Sequence, residues 1–167
     1  MAFVIDIEGF RLENDFIVKE LALCKVEDFS SSHYTFDPPF RWNILKKKEQ
    51  KTAKYCEKYL HQIRWSSRGH SIKELAKLIG DTCKKDDIIY VKGGYKRFVL
   101  VNLLQDEYIV KDMDELACPK MCDLQKESNI TVDCKVRHHQ QHSHCTLLKA
   151  NLFARWLSKN STVMCNE

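Results

Sequence analysis

The sequence predicts an α/β domain on a mixed sheet of five strands, an antiparallel meander first, with helices flanking the sheet. Three observations carry this. Three strand-like segments come first, with no helical pattern between them. After the middle of the chain, short apolar runs alternate with helical patterns. Finally, 167 residues, 44% of them apolar and without repeats or low-complexity segments, suffice for one sizeable core. We take residues 1–158 as a single domain and 159–167 as a polar tail with frayed structure.

The first strand is Val4-Ile5-Asp6-Ile7-Glu8-Gly9. Strand side chains alternate between faces, so Val4, Asp6 and Glu8 share one face while Ile5 and Ile7 share the other. Gly9 is expected to end the strand and turn the backbone. Phe16 to Cys24 is the second strand and Ser32 to Phe36 the third, stopped by Pro38-Pro39. Lys46-Lys47-Lys48 leads into a helical pattern through Tyr55, Tyr59 and Ile63. These lysines read either as a solvated helix start or as a phosphate contact. Ser71 and Glu74 form a capping box for a helix with Ile72, Leu75, Ala76 and Ile79 on one face. Ile88-Ile89-Tyr90-Val91 suits a buried strand. Gly93-Gly94 breaks it, Tyr95 to Leu104 resumes as a helix, and Tyr108-Ile109-Val110 is the last strand. A final helix continues through Phe153, Ala154, Trp156 and Leu157.

A net charge of +4 permits contact with nucleic acid without arguing for it. The chain enters an acid-bearing strand with no signal-peptide pattern, and no apolar run reaches transmembrane length. The expected setting is cytoplasmic or nuclear, with no membrane contact. In that setting the eight cysteines are free thiols or metal ligands rather than disulfides.

Two carboxylates on one strand face repel each other unless a cation or donor sits between them. Asp6 and Glu8 therefore read either as the solvated face of an edge strand or as a divalent-metal site. Magnesium and manganese prefer carboxylate oxygens, and paired metals hold both ends of a phosphodiester displacement. Asp6-x-Glu8, so early in the chain, resembles the first motif of the DnaQ-like, or DEDDh, 3′–5′ exonucleases, which have an RNase H-like fold. In layout the resemblance covers nearly the whole chain and implies two further motifs. The second is an Asp in the first turn of the helix after the strand that follows the capped helix. Val91-Lys92-Gly93-Gly94-Tyr95-Lys96-Arg97-Phe98 supplies the strand, the break and the helix, but Lys96 stands at the Asp position. No acid occurs between Val91 and Asn102. The third motif is His-x4-Asp. His144 to Lys149 matches it without a gap, with His144 in place as the general base and Lys149 where the last metal-binding Asp should be. Asp112 is the nearby acid that would substitute, and its usual role there is structural.

Two acids of the pattern have thus become lysines. An ammonium beside Asp6 and Glu8 neutralises them and repels a divalent cation, so the pocket should bind magnesium or manganese poorly. It would still attract a phosphate backbone. Lys92, Lys96, Arg97 and Lys149 are the expected phosphate contacts. Tyr95 and Phe98 lie among them, with base stacking open to both and core packing the expectation for Phe98.

A second constellation is the Cys/His cluster of Cys118, Cys122, Cys134, His138, His139, His142, His144 and Cys145. It reads either as core cysteines beside a solvated His-rich loop or as a structural zinc site. On spacing, the zinc set is Cys118, Cys134, His138 and Cys145. An RNase H-like domain with lost acids and a gained Cys/His site is similar in type to the Maelstrom domain, whose family carries a Glu-Cys-His-Cys zinc set. No ligand is carried over from it.

The expected function is a degenerate, non-catalytic exonuclease-like module that binds RNA or single-stranded DNA and holds a structural zinc. The alternatives are an active 3′–5′ exonuclease using magnesium or manganese with Asp6, Glu8 and His144, and a zinc-stabilised domain for a protein partner.

Overall fold

The alternation around Asp6 does form a strand, and a longer one than expected. The computed structural model describes residues 1–105, 107–134 and 145–164, with side chains in the last helix to residue 160. In it β1 spans Ala2–Arg11, β2 Phe16–Lys25 and β3 Ser31–Thr35, paired antiparallel in sequence order. Helix α1 (Lys47–Tyr59) follows, then a short α2 (Leu75–Gly80), β4 (Ile88–Val91), α3 (Gly94–Leu103) and β5 (Ile109–Asp112). A short α4 (Met121–Lys126) and a long α5 (Thr146–Met164) complete the chain. The five strands lie in the order β3-β2-β1-β4-β5, with β4 and β5 parallel to β1.

Strand period divides the core. Phe3, Ile5 and Ile7 pack with Leu21, Leu23, Ile89 and Val91 against Val99 and Leu100 of α3 and Leu75 and Ile79 of α2. On the opposite face Val4, Ala22 and Cys24 meet Leu148, Phe153, Ala154 and Leu157 of α5. Beyond them, Phe10 and Ile17 pack with Ala53 and Cys56 of α1 and with Trp65. The acid-bearing face of β1 is thus covered by α5 at one end and by α1 at the other. Among the described residues no helix is long and apolar enough to cross a membrane.

Several local expectations change. Gly9 does not end β1; the strand continues to Arg11, and the register with β2 shifts between Glu8 and Gly9. A Cβ at Gly9 would lie 1.9 Å from the Ile17 carbonyl oxygen, so glycine serves close strand approach and not a turn. The extra residue of the bulge is Lys19, whose buried ammonium donates to the carbonyls of Trp65 (2.9 Å) and Ser67 (2.7 Å). Helix α1 stops at Tyr59, before Ile63, which is buried from an irregular segment. The Ser71–Glu74 capping box forms, but Ala76 is exposed and Leu78 packs against the core. Tyr108 precedes β5 and does not belong to it. Phe98 is 62% exposed, because it falls on the outer side of α3 while Val99 and Leu100 take the inner side. The expected tail at 159–167 begins inside α5, whose helical backbone runs on to Met164.

Candidate functional site

β4 pairs with β1 only as far as Val4, so Asp6 and Glu8 project past its carboxyl end. Two helices start close by. The Gly93-Gly94 break, with φ +105° at Gly93, lets α3 begin there and places Lys96 in its first turn. Helix α5 crosses the same face and carries Lys149 in its own first turn. The Lys96 ammonium donates to Asp6 Oδ1 at 2.7 Å and Glu8 Oε1 at 3.1 Å. The Lys149 ammonium donates to Glu8 Oε1 at 2.5 Å and lies 3.8 Å from Asp6 Oδ2. Acids and lysines 88 to 143 positions apart in sequence thus form one group of two acids and two lysines, with no net formal charge.

The group is largely removed from water. Only 1% of the Asp6 side chain is exposed, and 12% of Lys149. Burial alone would lift the Glu8 carboxyl, but Lys96 and Lys149 outweigh it and hold Glu8 at about 2. At Asp6, which takes only one short hydrogen bond from a lysine, burial wins and lifts the carboxyl above its ordinary value. Burial opposes charge on Lys96 as well, yet the two acids raise its pKa. Both ammonium groups thus take the place of a cation shared by the two carboxylates.

The residues expected to contact phosphate are mostly engaged elsewhere. Lys96 and Lys149 are bound to the acids. Lys92 pairs with Asp114 and donates to the Cys118 carbonyl. Arg97 is exposed, with its Nε donating to the Val110 carbonyl at 3.0 Å. Asp112 accepts from the backbone N–H of Gly93 and of Asp114, both at 2.9 Å, and so fixes the turn into α3 as a structural acid. Tyr95 stacks under the Arg11 guanidinium, 4.1 Å from its ring centre. His144 lies outside the described residues.

A second cluster lies on the same face. Glu20 of β2 stands opposite Glu8 across the bulged pair, and His33 of β3 opposite Ala22. Their side chains meet with Glu20 Oε1 2.5 Å from His33 Nε2, and Thr146 Oγ1 lies 3.3 Å from the same ring nitrogen. Cys134 completes a triad whose ligand atoms all lie within 4.8 Å of one another. Carboxylate, imidazole and thiol together suit a transition-metal ion and not magnesium or calcium.

This differs from the set chosen on spacing. Cys134 is common to both. Among the described residues, Cys118 and Cys145 do not join it in a ligating group. Cys118 is buried in the core under α5, where burial pushes its thiol up to about 11, and Cys145 is buried in the same core. His138 lies outside the described residues. Sequence reading missed Glu20 and His33. The available signal was Glu20 itself, an acid inside the apolar run Phe16 to Cys24. Comparison with protein-family models, with curated proteins and with solved structures finds no match to this chain in any of the three.

Proposed function

We propose that the chain is a non-catalytic, RNase H-like domain of the DEDDh exonuclease type, acting as a nucleic-acid-binding module. The observation that carries this reading is the pair of ammonium groups on Asp6 and Glu8. An exonuclease of this type needs carboxylates free to hold two metals; here both carboxylates hold lysines instead. The meander-first mixed sheet and the meeting of residues 6, 8, 96 and 149 at one point support the kinship.

The test is a labelled single strand of DNA or RNA incubated with the protein in magnesium and in manganese. No shortening from the 3′ end is expected. Lys96→Asp combined with Lys149→Asp should bind manganese measurably more tightly than the parent by titration calorimetry. Trimming by the unaltered protein that is abolished by Asp6→Ala would establish an active exonuclease in its place.

The Glu20–His33–Cys134 triad favours a structural metal ion as part of the same reading, and zinc accepts all three donor types. Elemental analysis of purified protein should find about one equivalent. Glu20→Ala, His33→Ala and Cys134→Ala should each lose it, and Cys118→Ala should retain it. Metal retained in all three triad variants would refute the assignment.

A further inference from the structure

The chain's positive charge is concentrated in one place. Residues 46–58 contain six lysines and two glutamates, a surplus equal to the +4 of the whole chain, so the remainder is balanced. Both glutamates are occupied by backbone. Glu49 Oε2 accepts from the Lys46 N–H at 2.9 Å, and Glu57 Oε1 accepts from the Trp65 N–H at 2.5 Å. Lys46 pairs with Glu13 at 3.0 Å. Among the described residues, Lys47, Lys48, Lys51, Lys54 and Lys58 pair with no carboxylate, and all five are exposed.

Helical period orders these side chains. With Ala53 and Cys56 turned to the core, Lys47, Lys51, Lys54 and Lys58 share one outward stripe of α1. Lys48, Tyr55 and Tyr59 share the stripe beside it. The two tyrosine rings lie 5.2 Å apart and are 55% and 57% exposed. Like charges three and four residues apart repel, so the lysine stripe weakens its own helix until an anion arrives. A row of cations beside exposed aromatic rings matches a strand that offers phosphates on one side and unpaired bases on the other. The four-lysine stripe is about 16 Å long at the helical rise, enough for several phosphates.

We propose that single-stranded nucleic acid binds along the outer face of α1, phosphates on the lysine stripe and bases against Tyr55 and Tyr59. This deepens the nucleic-acid role proposed above and rests on it. It moves the contact from the acid–lysine group, where the lysines are bound to carboxylates, to a helix whose outward lysines meet only aromatic rings, Lys54 6.0 Å from the Trp42 ring centre and Lys58 4.9 Å from that of Tyr59.

Fluorescence anisotropy with labelled single-stranded RNA and DNA of about 12 nucleotides tests it, from about 50 to 200 mM salt. A duplex of the same length and polyglutamate serve as comparison anions. Lys51→Gln with Lys54→Gln and Lys58→Gln should weaken single-strand binding about tenfold or more at low salt and flatten the log–log salt slope by about 2. Tyr55→Ala with Tyr59→Ala should weaken it about tenfold with the slope unchanged. Circular dichroism of each variant should match the parent. Binding by the parent that neither variant weakens would overturn this face and leave the module reading standing. No oligonucleotide binding by the parent at low salt would overturn both. Polyglutamate or duplex bound as tightly as the single strand would overturn the ligand class. The RNA and DNA arms report which sugar the face accepts.

Discussion

Glu8 accepts hydrogen bonds from both lysines, at 3.1 and 2.5 Å, so its charge ties α3 and α5 to β1 through one side chain. Its folded pKa of about 2 lies below the ordinary 4.5 because the lysines outweigh burial. A depressed carboxyl stabilises the fold above its unfolded pKa, and that contribution is lost as pH falls from about 4.5 toward 2. Glu8→Gln keeps the shape and removes the charge. It should cost about 2 kcal/mol at neutral pH, the scale of a hydrogen bond to a charged group. Urea unfolding at a series of pH values should show that deficit shrinking as pH falls and gone near 2. No deficit at any pH would mean that Glu8 acts by shape alone, and a deficit constant across the series would mean that its charge is not the source. Asp6, Glu8, Lys96 and Lys149 were legible in the sequence, the acids from a local relation and the lysines from a motif pattern. Strand period put the two acids on one face, and the resemblance to the second and third exonuclease motifs singled out the two lysines. Neutralisation of the acids by the lysines was legible too; that it engages both ammonium groups and takes them from phosphate was not, because it depends on reach across three elements.

The paired strands carry what sequence reading missed. Glu20 and His33 become neighbours through the register of β2 against β3, and Glu20 faces Glu8 at the end of the unbroken register of β1 on β2, next to the bulge at Lys19. Alternation fixes the face of each residue within a strand but not the register between strands. The bulge in turn needs Gly9, where any Cβ would meet the Ile17 carbonyl oxygen at 1.9 Å. Gly9→Ala should therefore cost about 3 kcal/mol, at the upper end for overpacking, because backbone on both sides must move. Gly80→Ala serves as the comparison, since its Cβ would meet only the Tyr108 hydroxyl at 3.2 Å. Chemical denaturation should separate the two variants clearly. Gly9→Ala should also lower metal content by disturbing the strand that presents Glu20. If it retained full stability and full metal content, the bulge would not set the register of the site.

At the scale of the whole molecule, α5 is the element on which both clusters converge. Lys149 closes the acid group, Thr146 touches His33, and Leu148, Phe153 and Leu157 fill the core on that face. The metal triad joins β2 and β3 to the segment before that helix. A metal held there would stabilise the docking of α5 more than the packing of α1 and Trp65 at the far end of the sheet. With free zinc at about a thousand times its dissociation constant, the native state gains about 4 kcal/mol. For a chain of this size that corresponds to about 10 °C in melting temperature. Adding a zinc chelator to purified protein should therefore lower the melting temperature by about that much, and Cys134→Ala should start near the lowered value and not respond. The three tryptophans report where the change falls. Trp156 packs in the core under α5, and Trp42 and Trp65 pack in the one under α1. With Trp42 and Trp65 replaced by Phe, chelation at room temperature should shift the Trp156 emission. With Trp156 replaced by Phe, the emission of the other two should hold. An equal shift at both ends would mean that the metal supports the domain as one cooperative unit, and no shift with no change in melting would remove the metal from the structure altogether.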